Sequence, residues 1–342
     1  DKTASLWDIN TGLLVDSLKG HTDGINFLEF TQDGTKLVTA SDDGTTKIWD
    51  AASGKLLTDL RSHTFNSRAA NFSPAGQDDH AGGNRIVTAS DDGSAKIWDL
   101  AAGSLVKILK GPNSNMFSVQ FSQDGNKIIS GYQDGTTILW DAATGKRIEL
   151  KETSPVRIDP TAEADLEAVT NLVPPELSPD GTKVITSIQS KTIKLFDAST
   201  GKLLYQLTKD NYPGIAYAHF SPDGNKIITG WKYYDHQPDR KDTNMLVWGV
   251  TDKKPLFKIE AIDAQFSSDN TKIITSSFNI PKVWNAKNGK YLFSLTCDTC
   301  NQPSWGLFSP DSKTIFTTSW FDSVGSFWKS ENGKYLYALM GK

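Results

Sequence analysis

Residues 33–54 read DGTKLVTASDDGTTKIWDAASG, and this stretch recurs in altered form along most of the chain. Its aromatic position is occupied at intervals of 36 to 56 residues by Trp7, Trp49, Trp98, Trp140, Phe196, Trp248, Trp284 and Trp328. Five residues after each aromatic comes a glycine, at 12, 54, 103, 145, 201, 289 and 333, with Lys253 as the exception. A period of this length is typical of a repeat fold built from one small sheet per repeat. Glycine at a constant offset predicts a turn with positive φ.

A second recurring position supports the same repeat. Asp-Gly pairs stand at 33–34, 124–125, 180–181 and 223–224, between short apolar runs, and predict hairpin turns. Ala75-Gly76, Asp269-Asn270 and Asp311-Ser312 occupy this position with weaker turn residues. Between the turns, apolar and polar residues alternate as in strands, and no window has a sustained helical period. The pattern predicts an all-β chain.

These residues resemble the WD-repeat (WD40) family over nearly the whole chain. The first repeat is the fullest match, with Gly20-His21, FTQDG and VTASDDGTTKIWD. The resemblance implies a β-propeller of four-stranded antiparallel blades, and its regularity is similar to that of prokaryotic members. It also implies two buried hydrogen-bonded tetrads, formed by His21, Thr39, Asp43 and Trp49 and by His63, Thr88, Asp92 and Trp98. Later repeats depart from the family pattern, with Ser190 and Phe196 in repeat 4 and Phe278 in repeat 6.

With the strands of a repeat labelled a (innermost) to d (outermost), seven complete sets begin near residues 24, 67, 115, 170, 214, 261 and 304. Residues 1–18 add a further c–d pair. We expect one propeller domain over residues 1–342, taken from a longer repeat array or multidomain protein. An eight-blade ring is favoured, and seven blades with an appended hairpin is the alternative. Insertions are expected at 151–175 and 231–243.

Composition excludes several classes of function. The net charge of -4 provides no basic surface for nucleic acid, and no apolar run is long enough for membrane insertion. Cys297 and Cys300 are expected to be an ordinary loop pair, with a local disulfide or a redox or metal role as alternatives. The compartment and oligomeric state are open, with a cytoplasmic location favoured.

Nothing in the sequence converges on a catalytic centre. The five histidines are scattered, and no Ser-His-Asp order suggests a triad. The acidic pairs Asp42-Asp43 and Asp91-Asp92 are interpreted as b–c turns, which Asp favours. We therefore expect no enzyme, no catalytic residue, no metal and no cofactor. The remaining catalytic alternative is a hydrolase or quinoprotein type of propeller enzyme.

Aromatic residues that the repeat does not require indicate a binding surface. Tyr132, Trp231 and Trp320 replace the small residues Ser41 and Ser90 at the end of strand b. The b–c and d–a loops of a blade emerge on one face, so these rings are expected there. The predicted partner-binding residues are Tyr132, Trp231, Tyr233, Tyr234, Arg240, Trp305, Trp320 and Phe321. Aromatic and Arg side chains are common anchors at interfaces.

The expected function is a non-catalytic scaffold or sensor platform that binds a protein or peptide on this face. The alternatives are a small-ligand or glycan sensor using the central channel, and aromatics that are buried packing plugs.

Overall fold

The computed structural model describes residues 2–8, 11, 13–61, 63–74, 84–150, 174–188, 192–208, 215–232, 244–252, 254–261, 263–276, 280–296, 305–318 and 324–340. These residues form strands and turns, with no helix among them. Consequently, no described helix is long and apolar enough to cross a membrane. The expectation of an all-β chain is confirmed for this part of the protein.

The strands form seven four-stranded antiparallel sheets and one two-stranded sheet. We call the seven sheets blades 1 to 7 and the two-stranded sheet the N-terminal pair. The N-terminal pair is β1 (Thr3–Trp7) and β2 (Leu14–Lys19). Blade 1 is β3 (Ile25–Phe30), β4 (Lys36–Ser41), β5 (Thr45–Asp50) and β6 (Leu56–Arg61); blade 2 is β7 (Ser67–Phe72), β8 (Arg85–Ser90), β9 (Ser94–Asp99) and β10 (Ser104–Lys110). Blade 3 is β11 (Met116–Phe121), β12 (Lys127–Tyr132), β13 (Thr137–Asp141) and β14 (Arg147–Ile148).

The remaining blades follow the same order. Blade 4 is β15 (Glu176–Leu177), β16 (Lys183–Ile188), β17 (Thr192–Asp197) and β18 (Leu203–Thr208). Blade 5 is β19 (Ile215–Phe220), β20 (Lys226–Lys232), β21 (Asn244–Gly249) and β22 (Pro255–Glu260). Blade 6 is β23 (Asp263–Phe266), β24 (Lys272–Ser276), β25 (Lys282–Asn285) and β26 (Tyr291–Ser294), and blade 7 is β27 (Trp305–Phe308), β28 (Thr314–Thr318), β29 (Val324–Lys329) and β30 (Tyr335–Met340). Seven complete blades and an N-terminal c–d pair are therefore confirmed.

The chain divides into two compact units. Unit 1 is Asp1–Gln189 with Lys194–Gln206, and unit 2 is Ser190–Ile193 with Leu207–Lys342. Unit 1 holds the N-terminal pair, blades 1 to 3 and most of blade 4, and unit 2 holds blades 5 to 7. A single domain and a ring of eight or seven positions stay predictions.

Each blade packs its apolar side chains against the next blade within its unit. In unit 1, Ala70 and Phe72 of strand a of blade 2 pack with Val38 and Ile48 of blade 1. In unit 2, Ile274 of blade 6 packs in one cluster with the buried blade 7 anchor Trp328. Fully burying one such side chain is worth about 1.5–3 kcal/mol. Stacking of neighbouring blades is therefore the main source of burial.

The turn glycines have the predicted backbone conformation. Positive φ occurs at Gly54, Gly103, Gly145, Gly201, Gly289 and Gly333 after the aromatic, and at Gly34, Gly125, Gly181 and Gly224 in the Asp-Gly turns. Gly12 and Gly76 lie outside the described residues. The glycine is required because a side chain with a Cβ is strained in this region.

Two turns in unit 2 keep the positive φ without glycine. Asn270 has φ 60° and Ser312 has φ 58°. The Asn270 side-chain oxygen accepts the Asp223 backbone N–H of blade 5 at 3.1 Å, and the Ser312 hydroxyl accepts the Asp269 N–H of blade 6 at 3.1 Å. At both positions the side chain makes a positive φ costly, but it also forms a hydrogen bond to the neighbouring blade that a glycine could not form.

One hydrogen bond recurs across the blades. The indole N–H of the strand c anchor donates to a hydroxyl on strand b, with partners Trp49 and Thr39 (2.9 Å), Trp98 and Thr88 (3.1 Å), Trp140 and Ser130 (2.8 Å), Trp248 and Thr229 (2.8 Å), Trp284 and Thr275 (3.0 Å), and Trp328 and Thr317 (2.8 Å). Blade 4 has Phe196 at this position, and its side chain has no N–H to donate. The equivalent Thr186 hydroxyl is buried without a hydrogen-bond partner. The missing tryptophan therefore leaves one unsatisfied polar group.

We expect opposite effects from removing the strand b hydroxyl in blades 1 and 4. Thr39→Val should lower the free energy of unfolding by about 1–3 kcal/mol, because it leaves the buried Trp49 N–H unpaired. Thr186→Val should be neutral or raise it by up to about 1 kcal/mol, because that hydroxyl has no partner to lose. Urea titration of both variants measures the difference. Equal losses in the two blades would contradict this account.

Candidate functional site

In blades 1 and 2, the tetrad residues form a continuous hydrogen-bonded chain. In blade 1, His21 Nδ1 lies 2.9 Å from Asp43 Oδ2, and His21 Nε2 lies 2.7 Å from Thr39 Oγ1. An ionised carboxylate only accepts, so Nδ1 of the neutral imidazole donates to Asp43 and Nε2 accepts the Thr39 hydroxyl. The same oxygen of Thr39 accepts the indole N–H of Trp49. Every polar group of this buried chain is thereby satisfied.

Blade 2 repeats the arrangement with His63, Thr88, Asp92 and Trp98. Its corresponding distances are 2.9 Å from His63 Nδ1 to Asp92 Oδ2 and 2.8 Å from His63 Nε2 to Thr88 Oγ1. Burial lowers the pKa of His63, and the hydrogen bond to Asp92 only partly opposes this. These histidines support the blades and, as members of closed hydrogen-bonded chains, present no free nitrogen for catalysis.

The two carboxylates are held in their ionised form. Burial alone would raise the pKa of Asp43, but hydrogen bonds from Thr45, from the Thr22 N–H and from His21 outweigh it and lower the pKa to about 2. Burial also opposes ionisation of Asp92, and hydrogen bonds from His63 and Ser94 overcome it and lower that pKa as well. The acidic pairs at 42–43 and 91–92 therefore form b–c turns, as interpreted from the sequence.

The predicted partner-binding role of Tyr132 is wrong. The residue was expected to anchor a partner, but its side chain is fully buried. Blade 3 has Pro112 at the histidine position, and the Tyr132 hydroxyl accepts from Ser130 at 3.4 Å, where a histidine Nε2 would otherwise accept. Gly111 leaves room for the ring, since a Cβ there would collide with it. Burial also raises the pKa of Tyr132 to about 12. In a blade that has no histidine, Tyr132 thus partners the strand b hydroxyl that accepts the Trp140 indole N–H.

The other predicted aromatics are only partly described. Trp231 lies in β20 with its backbone paired to Ala216, and its side chain lies outside the described residues. Trp305 begins β27 and is partly buried. Tyr233, Tyr234, Arg240, Trp320 and Phe321 also lie outside the described residues, as do Cys297 and Cys300. Their partner-binding role stays a prediction.

The described structure shows a polar network at the b–c turns of blades 1 and 2. Arg68 donates through Nε (2.9 Å) and Nη2 (2.6 Å) to Asp91 Oδ2, and through Nη1 to Asp42 Oδ1 (3.1 Å). Asn26 donates to the same Asp42 oxygen at 2.9 Å. The hydrogen bond to Asp91 raises the pKa of Arg68. We call these four residues the rim network; it joins two neighbouring b–c turns.

Local backbone geometry places the rim network. Asn26 and Arg68 sit at equivalent irregularities near the start of strand a, where the register shifts between residues 25 and 27 and between 67 and 69. A bulge of this kind redirects a side chain out of the ladder. Both side chains therefore reach the b–c turns, and Asn26 also donates to the Ser67 carbonyl at the start of β7 at 3.2 Å. No repeat signature singles out Asn26 and Arg68. Their only sequence signal is that both occupy the second position of strand a, in repeats that have an acidic b–c turn.

An exposed aromatic lies next to the rim network. Phe65, in the d–a loop between β6 and β7, is 62% exposed. The backbone of this loop is fixed by blade 2. Ser90 Oγ donates to the Phe65 carbonyl at 3.2 Å, and the Asp91 N–H donates to the Asn66 carbonyl at 3.1 Å. An apolar ring on a fixed backbone is thus presented beside partly exposed charges. The sequence does not single out Phe65, because this residue lies in a loop and not at the strand b position where the predicted aromatics stand.

The potential metal ligands among the described residues do not cluster. Among them, no group of three or more His, Cys, Asp or Glu side chains could hold a metal ion. The arrangement can offer an apolar contact and hydrogen-bonding carboxylates to a partner. Binding is the chemistry that this part of the surface supports.

Comparison with known proteins identifies the class. A family model described as "WD domain, G-beta repeat" matches residues 12–50, 54–99 and 103–141. Residues 12–50, 54–99 and 103–141 therefore match WD40 repeats, and the all-β blades are consistent with the fold of a WD40 β-propeller. WD40-repeat proteins are generally non-catalytic scaffolds, often for protein interactions.

Solved structures agree on the fold. A crystal structure of the computationally designed Ika8 protein is 22% identical, with a TM-score of 0.69, and the match covers 94% of this chain and 88% of that one. At this identity the likeness shows the fold alone. No match was found among curated proteins. Because 1783 chains of solved structures match, the fold does not select one function.

Tyr132→Ala should lower the free energy of unfolding by about 3–5 kcal/mol, as expected for losing a buried aromatic. Phe65→Ala is the matched control, and should change it by less than about 0.5 kcal/mol because the ring is exposed. Urea denaturation followed by circular dichroism measures both. A loss below about 1 kcal/mol for Tyr132→Ala would show that its ring is not a packing element.

Stability should fall in acid in two stages. The pKa of His63 is lowered on folding, so its contribution is complete above about pH 6.5 and decreases as the pH falls below that value. The pKa of Asp43 is also lowered, so its contribution is lost between about pH 4 and pH 2. Urea midpoints at about pH 7.5, 5.5 and 3 measure these stages.

Replacing His63 separates the first stage from the second. His63→Gln should reduce the loss of stability between about pH 7.5 and pH 5.5, while His219→Gln, at an exposed position, should leave it unchanged. An unchanged pH dependence in His63→Gln would mean that His63 does not control the first stage.

Proposed function

We propose that this chain is a non-catalytic interaction scaffold that binds a protein or peptide on the face carrying the b–c and d–a loops. The match of residues 12–50, 54–99 and 103–141 to WD40 repeats supports the scaffold class. The observation that carries the choice of face is the 62% exposure of Phe65 directly beside the rim network. Phe65 lies in a d–a loop, and Asp42 and Asp91 of the rim network lie in b–c turns.

The rigidity of these residues favours binding. Arg68 is held by three hydrogen bonds to two carboxylates, and the backbone around Phe65 is held by bonds from blade 2. A partner therefore meets side chains whose freedom is already restricted, which reduces the entropy lost on association. Aromatic and arginine residues also provide most of the binding energy at many interfaces.

The charges indicate the chemistry of the partner. Asp42 and Asp91 outnumber Arg68, so the rim network has one net negative charge, and the Asp42 side chain is 31% exposed. We expect an apolar side chain of the partner to pack on Phe65 and a lysine, arginine or backbone N–H to approach Asp42. A partly desolvated charge-assisted hydrogen bond is stronger than a neutral one.

The predicted aromatics extend this proposal around the same face. From the repeat, Trp231, Tyr233, Tyr234 and Arg240 are expected at the b–c connection of blade 5, and Trp320 and Phe321 at that of blade 7. They are part of the proposal as further contacts, and Tyr132 is no longer included. No described residue favours the ligand-sensor or enzyme alternatives, nor binding to nucleic acid or membrane.

Phe65→Ala should weaken peptide binding by at least about tenfold, the size expected for an interface anchor. Peptides are first selected on the full chain from a random phage-displayed library, and their affinities are then measured by calorimetry. Leu57→Ala is the matched control, because Leu57 is equally apolar and exposed but lies on the outer strand d of blade 1.

The control should retain its affinity, and Asp42→Asn should weaken peptides that carry a basic residue. Selected peptides that bind Phe65→Ala and wild-type chains equally would move the site elsewhere. Loss of affinity in Leu57→Ala alone would assign binding to the outer strands and overturn the proposed face.

A further inference from the structure

The outer strand of blade 2 differs in composition from the other outer strands. β10 carries three apolar side chains, Leu105, Val106 and Ile108, that are each 40–46% exposed. It also carries Lys107 and Lys110 and no acidic residue, so its net charge is +2. In β2, β6, β18, β22, β26 and β30 the charges sum to zero. An apolar and basic strand thus forms the edge of blade 2, in a chain whose net charge is -4.

The difference is sharpest at Ile108, which lies opposite Lys96 of β9. In the five other sheets whose described ladder reaches this position, strand d has a polar or small residue there: Ser17, Asp59, Lys258, Ser294 and Ala338. In blade 1, Asp59 forms ion pairs with Lys47 at 2.7 Å and with Arg61 at 2.5 Å. Charged side chains on an edge strand discourage pairing with other chains. Blade 2 has an exposed aliphatic side chain at this point instead.

The backbone of β10 faces outwards at the same position. The Gly111 N–H donates to the Gly93 carbonyl at 3.2 Å, and hydrogen-bonded pairs alternate with non-hydrogen-bonded pairs along an antiparallel ladder. Ile108 and Lys110 are therefore in non-hydrogen-bonded pairs, and their N–H and C=O groups point away from β9. The Lys110 carbonyl accepts from Arg147 Nη2, as expected of a group on the outer edge. In the part of the chain that the structure describes, β9 is the only strand paired with β10.

Two cations border this edge. Lys110 is exposed, and the Arg147 guanidinium lies 5.2 Å from the centre of the Trp140 ring while it donates to the Lys110 carbonyl. Arg147 is thereby held at the end of β10, and it is exposed as well. Lys107 is engaged elsewhere, because its Nζ donates to the Ala143 carbonyl at 2.7 Å. The edge thus combines apolar side chains, an outward-facing backbone N–H and C=O, and two positive charges.

We propose that the outer edge of β10 binds an extended acidic segment of another protein, which adds a further strand to blade 2. Added strands bind an exposed sheet edge through main-chain hydrogen bonds, and their side chains provide specificity. In antiparallel pairing, the residue opposite Ile108 exchanges two backbone hydrogen bonds with it and carries an aliphatic side chain on the same face. The residue opposite Lys110 lies two positions earlier and carries a carboxylate for Lys110 and Arg147. The expected motif is therefore an acidic residue two positions before an aliphatic one.

The chemistry of this edge disfavours two other occupants. A lipid bilayer can receive the apolar side chains and the lysines, but it cannot satisfy the backbone groups of Ile108. A second copy of this chain brings another β10 with a net charge of +2 and no carboxylate. An acidic strand satisfies the backbone and the charges together. The site lies on an outer strand, and it does not depend on the loop face of the proposed function.

A synthetic peptide tests the site on the full chain. The probe is a capped peptide of about eight residues, a common strand length, in which threonine alternates first with two glutamates and then with two valines. Amide hydrogen exchange is followed over residues 104–110. We expect exchange there to slow by about tenfold at saturating probe, because ladder bonds protect backbone amides. A probe that is N-methylated along its bonding edge should give no protection, since it has no N–H to donate.

Charge reversal identifies the contact. Lys110→Glu should weaken binding of the glutamate probe by about fivefold and should favour a probe with lysine in place of glutamate. Ile108→Thr keeps a strand-forming residue and should weaken binding by about the same factor, because the aliphatic cross-strand contact is lost. The matched control is Leu57→Thr, at an exposed apolar position on the outer strand of blade 1. Leu57→Thr and Phe65→Ala should leave probe binding unchanged, and equal urea midpoints verify that all four variants fold.

Three results would overturn the proposal. The first is unchanged exchange over residues 104–110 at saturating probe, or equal protection by the lysine or N-methylated probe. The second is a concentration-dependent dimer in sedimentation that Ile108→Thr abolishes, which would make a second copy the occupant. The third is binding to vesicles of anionic lipid that Lys110→Glu abolishes, in a chain that does not bind the probe, which would assign the edge to a membrane surface.

Discussion

The rest of the structure depends on the hydrogen bond from the strand c indole to the strand b hydroxyl. It joins the two central strands of a blade at a buried point, where an unmade bond is costly. The large ring also fills the space between blades, as Trp328 does in the cluster that joins blades 6 and 7. One residue type therefore satisfies the polar group inside a blade and supplies the apolar surface between blades. This dual demand explains why tryptophan recurs at the position, and why Phe196 leaves Thr186 unsatisfied.

The residue that partners the strand b hydroxyl is less restricted than the hydroxyl residue and the tryptophan. Blades 1 and 2 use a histidine from the d–a connection, whereas blade 3 uses Tyr132 from the end of strand b. Both bring a polar atom to the equivalent strand b hydroxyl, and the His21 and Tyr132 side chains are both buried. What the blade requires is a partner for the hydroxyl and a side chain of suitable size. The chain position from which that side chain comes is free to vary.

The blades in turn give the loops their properties. Because strands b and c are fixed, the short b–c turns are fixed too, and Asp42 and Asp91 can hold Arg68 between them. The same rigidity holds the Phe65 backbone while its ring stays in solvent. The proposed binding face thus depends on a rigid backbone that holds an exposed ring and partly exposed charges in place.

The sequence by itself determined the all-β class, the seven complete blades, the c–d pair and the turn positions, because each depends on local periodicity and on glycine at a constant offset. The members of the two tetrads came from the family resemblance, which assigns them to fixed positions of the repeat. The sequence could not decide the place of Tyr132, because a ring at the end of a strand is buried or exposed according to whether a histidine from another loop already fills the space. The sequence could not predict the role of Asn270 either, because its side chain accepts a hydrogen bond from the neighbouring blade 5. Arg68 and Phe65 were likewise decided only by tertiary structure, because their roles depend on turns 20 to 30 residues away in sequence that packing brings together.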